Sequence, residues 1–88
     1  MPRPRSYVAL GRYLAQFRDP ELVVAFPTIE AVLGRPLPDA AWQTTAWWTE
    51  ATLRAPQRAA WRRAGWEVAQ VNLRAKVVTF QRLAISTG

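Results

Sequence analysis

The sequence predicts an α+β fold of one domain, in which helices come first and a β-hairpin comes last. Apolar residues between positions 26 and 33 recur at helical spacing. A segment rich in Gly and Pro follows at 34–38, which is typical of a tight connection to a second helix. From position 66 to 82 the apolar residues alternate with polar ones, as in strands. A chain of 88 residues is the size of one domain.

The first two elements are a helix and a short strand. Apolar residues fall on one helical face from Tyr7 to Phe17, and Pro20 ends this helix. Residues 21–26, with the sequence ELVVAF, contain residue types that favour strands and predict a strand that leads directly into the next helix. Residues 1–6 contain two prolines and two arginines, and we expect them to form a flexible basic arm.

The middle of the chain predicts two helices joined by a stiff turn. Pro27 lies in the opening turn of the first helix, where its missing N–H costs nothing. Gly34 is placed to end that helix in the left-handed conformation. Asp39 is placed to cap a second helix, which we expect to continue toward Thr52. Two short helices with such a turn are the skeleton of a helix-turn-helix.

The last third of the chain predicts a short helix and a hairpin. Pro56 interrupts the second helix, and a short helix is expected at 57–64. The strand pattern from Trp66 changes parity near Ala69, which indicates a β-bulge. A turn is expected at 73–76 before the return strand.

The predicted order is therefore helix, strand, helix, helix, short helix and β-hairpin, which is that of a winged helix-turn-helix. In such a fold the first strand pairs with the hairpin, whose tip is the wing. We expect the domain to cover residues 7–83, and residues 84–88 to form a tail.

Composition argues against catalysis and against bound metals or cofactors. The chain has no Cys and no His, which removes thiolate ligands and the commonest general base. Its six carboxylates are scattered singly, with no local pair that suggests acid–base work. We therefore expect a non-enzymatic domain without a cofactor.

The positive charge is concentrated in the second half of the chain. Residues 1–44 contain five arginines and four carboxylates, whereas residues 45–88 contain six arginines, one lysine and two carboxylates. This excess favours a polyanionic partner, although a basic surface also simply keeps a small protein in solution. No run of 18 apolar residues occurs, so we expect a cytoplasmic protein.

A winged helix predicts which residues contact nucleic acid. The second helix of the pair lies in the major groove, where Gln43 can hydrogen-bond an adenine edge. Arginines of the turn, of the short helix and of the wing are expected to contact phosphates. The complete predicted set is Arg35, Trp42, Gln43, Thr44, Thr45, Arg54, Arg58, Arg62, Arg74 and Lys76.

The tryptophans of the second helix cannot all face one core. At 100° per residue, Trp42, Trp47 and Trp48 lie at about 0°, 140° and 240°. Either the helix bends before Trp47 or at least one ring is exposed. We expect Trp47, Trp61 and Trp66 in the core and Trp42 at the surface. An alternative is that Trp47 and Trp48 wall an aromatic pocket.

Several motifs together resemble a family of small bacterial domains of unknown function. They comprise Tyr7-x-x-Leu10-x-x-Tyr13-Leu14, Phe26-x-x-Ile29-Glu30-x-x-Leu33-Gly34-x-x-Leu37-Pro38, Trp47-Trp48, Trp61-x-x-Ala64-Gly65-Trp66-x-Val68 and Val78-x-Phe80-x-Arg82. The resemblance implies a domain that stands alone or is appended to other modules, in some cases nucleases. It implies no established activity and no assigned site.

This chain departs from the family pattern at two positions. Ala40 stands where the pattern usually has Ser, and Glu50 stands where it has Asn. A carboxylate repels an anion, so any ligand contact made by that Asn does not transfer to Glu50. The family pattern includes Arg82, for which stacking on a ring, pairing with Glu30 and ligand contact are all possible roles.

Three functions follow from these observations. The first is binding of nucleic acid, above all duplex DNA. The second is a protein–protein interaction module, including a homodimer, that uses exposed aromatic residues. The third is an aromatic pocket that binds a modified base or small ligand.

Overall fold

The computed structural model describes residues 7–52 and 55–83. Five helices and three strands lie within these ranges, and the fold is α+β. The elements are α1 (Val8–Ala15), β1 (Glu21–Ala25), α2 (Phe26–Leu33), α3 (Asp39–Gln43), α4 (Ala46–Thr49), α5 (Pro56–Arg63), β2 (Trp66–Asn72) and β3 (Val77–Arg82). No described helix has both the length and the apolar character needed to cross a membrane.

The three strands form an antiparallel sheet in the order β1-β3-β2. The first strand pairs with the return strand of the hairpin, as the sequence predicted, with Val24 opposite Val78. The predicted bulge is confirmed, because the register between β2 and β3 shifts between Val68 and Gln70. One face of the sheet carries the buried Val24, Val78 and Phe80.

The turn between α2 and α3 has the expected geometry. Gly34 has φ of 75°, a left-handed conformation that favours glycine, and its N–H donates to the Glu30 carbonyl at 2.8 Å. The Glu30 carboxylate accepts a hydrogen bond from the Leu37 N–H at 2.8 Å. This bond fixes the proline-containing turn against α2, and Leu37 is buried.

The predicted second helix, Asp39 to Thr52, is wrong as a single element. It divides into α3 and α4, because Thr44 adopts an extended conformation with φ of −135° and ψ of 144°. The predicted cap is also wrong: Pro38 is the residue that precedes α3, and Asp39 is its first residue, with no side-chain capping bond. The short helix is present and begins one residue earlier than predicted, at Pro56.

The core lies between the helices and one face of the sheet, and aromatic rings dominate it. Trp48 stacks on Phe26 and on Trp61, with ring centroids 5.0 and 6.0 Å apart. Trp61 meets Phe80 of the sheet edge to face at 5.6 Å. These buried rings connect α2, α4, α5 and β3, so the small domain depends on a continuous aromatic cluster.

Candidate nucleic-acid interface

The hairpin tip presents two cations. The turn at 73–76 connects β2 to β3, and the Asn72 side chain accepts a hydrogen bond from the Ala75 N–H at 2.9 Å. Lys76 has φ of 60°, so the chain reverses in a left-handed conformation there. Arg74 and Lys76 are exposed, and no carboxylate occurs between positions 68 and 82. The tip is therefore a locally positive surface.

The tip is bonded to the start of α2. The Phe26 N–H donates to the Lys76 carbonyl at 2.8 Å. The Phe26 ring in turn contacts the Trp42 ring edge to face, with centroids 5.2 Å apart. Two successive contacts thus link the cationic turn to the last turn of α3.

The break between α3 and α4 exposes three polar side chains. Gln43, Thr44 and Thr45 are all exposed. The Thr44 hydroxyl donates to the Ala40 carbonyl at 3.1 Å and accepts from the Trp47 N–H at 3.4 Å. It therefore satisfies backbone groups on both sides of the break. The Gln43 and Thr45 side chains make no hydrogen bond to other residues that the structure describes.

Trp42 lies deeper than predicted, whereas Trp47, which was expected in the core, lies less deep. Trp42 is half-buried against Phe26, not exposed. Trp47 is also half-buried, whereas Trp48 is only 2% exposed. A base can stack on Trp48 only if the core opens. In the described part of the chain Trp47 and Trp48 therefore do not wall an open pocket. Because the chain bends before Trp47, Trp42 and Trp48 can both contact Phe26, which one straight helix would not allow.

Arg58 and Arg62, both predicted to contact phosphates, pair with the same carboxylate, that of Glu67. Arg58 Nη2 lies 3.2 Å and Arg62 Nη1 2.5 Å from Glu67 Oε2. Trp61 Nε1 donates to Glu67 Oε1 at 3.1 Å, and Arg58 also donates to the Ala51 carbonyl at 2.9 Å. Burial acts to raise the pKa of Glu67, but the hydrogen bonds from Arg62, Trp61 and Arg58 outweigh it and lower that pKa.

Arg35, which was predicted to contact phosphate from the turn after α2, lies against α1 instead. The Arg35 guanidinium lies 5.1 Å from the centroid of the Tyr7 ring, at the start of α1. Arg54 lies outside the described residues. Of the predicted contacts, Arg74 and Lys76 lie at the hairpin tip, and Gln43, Thr44 and Thr45 lie at the break after α3. Arg35, Arg58 and Arg62 contact other parts of the chain.

Arg82 stacks on an aromatic ring, which is one of the two structural roles that the sequence suggested for it. Its guanidinium lies 4.7 Å from the centroid of Trp66, and it also donates to the carbonyls of Phe17 and Asp19. The carboxylate of Glu30, the other predicted partner, instead accepts a hydrogen bond from the Leu37 N–H in the turn after α2. Arg82 therefore joins the end of β3 to the segment after α1.

Arg12 and Arg63 were not among the contact residues predicted from the sequence. Both are exposed, and both line a groove between α1 and α5. A signal was present: each arginine shares a helical face with Ala or Gly, which leaves room beside it. Within residues 7–52 and 55–83, no three acidic side chains cluster as metal ligands do.

Comparison with known proteins identifies the family. No curated protein and no solved structure matches the chain. Residues 7–83, which include every described element, match a family described as Domain of unknown function (DUF7662). The chain therefore belongs to this family of domains of unknown function.

Proposed function

We propose that this chain is a non-enzymatic, cytoplasmic nucleic-acid-binding domain that contacts duplex DNA with the end of α3 and the hairpin tip. In this proposal the domain is a winged helix, in which α2 and α3 act as the helix-turn-helix and the β2–β3 turn acts as the wing. In support, β1 pairs with β3 and the helices precede the hairpin. Helices α4 and α5 are an insertion between the second helix and the wing.

The observation that carries the proposal is the link between the tip and α3. The hydrogen bond from Phe26 to Lys76 and the contact between Phe26 and Trp42 favour one surface that includes both. A duplex that meets the tip through phosphates then lies beside Gln43 and Thr45. Phosphate contacts supply most of the affinity, and base-edge contacts supply sequence preference.

Each side chain has a distinct role in this proposal. Arg74 and Lys76 bind phosphates, because both are exposed and no carboxylate neighbours them in the hairpin. Gln43 hydrogen-bonds a base edge, for which the amide suits adenine. Thr45 donates to a phosphate. Thr44 is needed for the break between the helices, since its hydroxyl already bonds two backbone groups.

Interaction through exposed aromatic residues has less support. Trp42 and Trp47 are half-buried. The exposed large hydrophobic residues of the described chain are Val8 and Val23, which are aliphatic. The aromatic-pocket hypothesis is weakened in the same way by the burial of Trp48.

A polarisation assay with a labelled random duplex tests the proposal. We expect binding at about 50 mM salt that weakens steeply toward about 200 mM, as counterion release requires. Single-stranded DNA and duplex RNA, used as competitors, establish which nucleic acid is preferred. Absence of binding to every one of these at the lower salt concentration contradicts the proposal.

A further inference from the structure

An open groove of about 570 Å³ runs between α1 and α5. On the α1 side it is lined by Val8, Gly11, Arg12 and Ala15. These positions follow the i, i+3, i+4, i+7 spacing of one helical face. At 1.5 Å per residue the stripe is about 11 Å long, which matches two turns of a third helix laid along it.

The α5 side repeats this pattern with Pro56, Ala59, Ala60 and Arg63, and Ala64 follows directly after the helix. The two helices approach closely at one point: a Cβ atom on Gly11 would lie 2.8 Å from the Ala60 carbonyl oxygen. Small side chains beside this contact leave the floor of the groove shallow and apolar. The close contact therefore fixes the spacing of the two walls.

The rim of the groove is positive. Arg12 and Arg63 are exposed, and none of the lining residues is acidic. Val8 is 54% exposed, which adds an aliphatic surface at one side. An apolar strip between two cations complements a segment in which carboxylates flank apolar side chains.

We propose that this groove docks an acidic amphipathic helix of a partner protein. Its apolar side chains at i, i+3 or i+4 and i+7 lie on the Ala and Val surface, and its carboxylates pair with Arg12 and Arg63. The openness of the groove favours a helix over a small molecule, because small-molecule sites usually bury most of their ligand. The net charge of +6 disfavours a second copy, and the arginines at positions 3 and 5 disfavour the N-terminal arm.

This site is distinct from the proposed DNA surface. Ala64 immediately precedes the Gly65-Trp66 start of β2, and the hairpin tip lies beyond the other end of that strand. A strand of this length spans roughly 20 Å. Two pairs of cations, Arg12 with Arg63 and Arg74 with Lys76, can therefore be removed independently. Each double substitution lowers the net charge by the same amount.

The test uses the full chain and a synthetic helical peptide of about 16 residues built from Leu and Glu, with Leu at the stated spacing. In amide NMR spectra we expect shifts confined to α1 and α5. R12Q/R63Q should weaken binding roughly three- to tenfold, as expected for two exposed ion pairs. The charge-matched R74Q/K76Q should bind the peptide as the wild type does. V8S should weaken binding without any change in charge.

Several results overturn the proposal. These are no shifts, shifts centred on the hairpin tip, equal weakening by both double variants, or equal binding of a peptide with Lys in place of Glu. Wild-type dimerisation that V8S abolishes would assign the groove to a second copy. Shifts of the arm amides on V8S substitution would assign it to residues 1–6. Loss of DNA binding without loss of peptide binding in R74Q/K76Q supports two separate sites.

Discussion

The main-chain N–H of Phe26 donates a 2.8 Å hydrogen bond to the carbonyl oxygen of Lys76. This bond joins the first residue of α2 to the last residue of the hairpin turn, 50 positions later. A hairpin tip held only by its own strands can move relative to the helices. Here the backbone of the tip is held at its base, against the start of α2, and the Phe26 ring there contacts Trp42.

Replacement of Trp42 by Ala should destabilise the domain moderately. The change removes the edge-to-face contact with Phe26, and because Trp42 is half-buried we expect a loss of about 1–3 kcal/mol in the free energy of unfolding. Urea denaturation followed by circular dichroism measures it. The buried Trp48 is the comparison, and Trp48→Ala should cost more, about 3–5 kcal/mol. Equal losses in the two variants would contradict the burial described above.

Gly11→Ala should destabilise the protein, although Ala is the better helix former. Helix propensity alone predicts that Gly11→Ala raises the free energy of unfolding by about 1 kcal/mol. The new Cβ atom would lie 2.8 Å from the backbone oxygen of Ala60, and α1 and α5 must separate to accommodate it. We expect a net loss of roughly 1–2 kcal/mol in thermal or urea unfolding. A higher melting temperature for Gly11→Ala would show that the two helices are not in this contact.

The Glu67 cluster predicts a specific dependence of stability on pH. The pKa of Glu67 is lower in the folded state than in the unfolded state, so the ionised carboxylate stabilises the fold. This contribution to the free energy of unfolding is complete above the pKa of the unfolded state, and it is lost as the pH falls through the pKa of the folded state. Glu67→Gln should therefore be less stable than the wild type at pH 7, and the difference should shrink below about pH 4.3. Urea unfolding at a series of pH values measures this difference. Glu50→Gln, at an exposed carboxylate, is the control. If the stability difference between wild type and Glu67→Gln stays constant down to pH 3, ionised Glu67 does not stabilise the fold as described.

Arg82→Lys should show that the guanidinium is needed and not only its charge. Lysine keeps the charge but cannot both stack on Trp66 and donate to the carbonyls of Phe17 and Asp19. We expect a loss of about 1–2 kcal/mol in stability, together with a change in tryptophan fluorescence. Arg18→Lys, at an exposed position, should change stability by less than about 0.5 kcal/mol. Similar effects of the two substitutions would argue against the stacked arrangement.

The features that the sequence predicted well are those governed by local chemistry. Pro27, Gly34 and the parity change near Ala69 each determine a helix end or a bulge within a few residues. A bend before Trp47 was one of two alternatives that the tryptophan directions left open, but its position at Thr44 was not predicted, because no Gly or Pro marks it. The Thr44 hydroxyl replaces the lost helical bonds there, but a Thr inside a helix can make the same bond to the carbonyl of residue i−4, so the residue type alone does not mark a break.

The missed parts of the candidate sites depend on contacts between distant segments. Arg58 and Arg62 appear free in a helical projection, and only the position of β2 brings Glu67 to them. The α1–α5 groove joins residues about 50 positions apart, so no local pattern predicts it. Long-range packing decides which arginines remain available to a partner.

The salt dependence of DNA binding by two charge-matched variants tests the central claim most directly. The same labelled duplex is titrated with wild type, R74Q/K76Q and R12Q/R63Q between about 50 and 200 mM salt. If the hairpin tip contacts phosphates, the slope of log K against log salt concentration should be shallower by about 2 for R74Q/K76Q and unchanged for R12Q/R63Q. Equal slopes for the two variants, or a larger change for R12Q/R63Q, would contradict DNA binding through the tip.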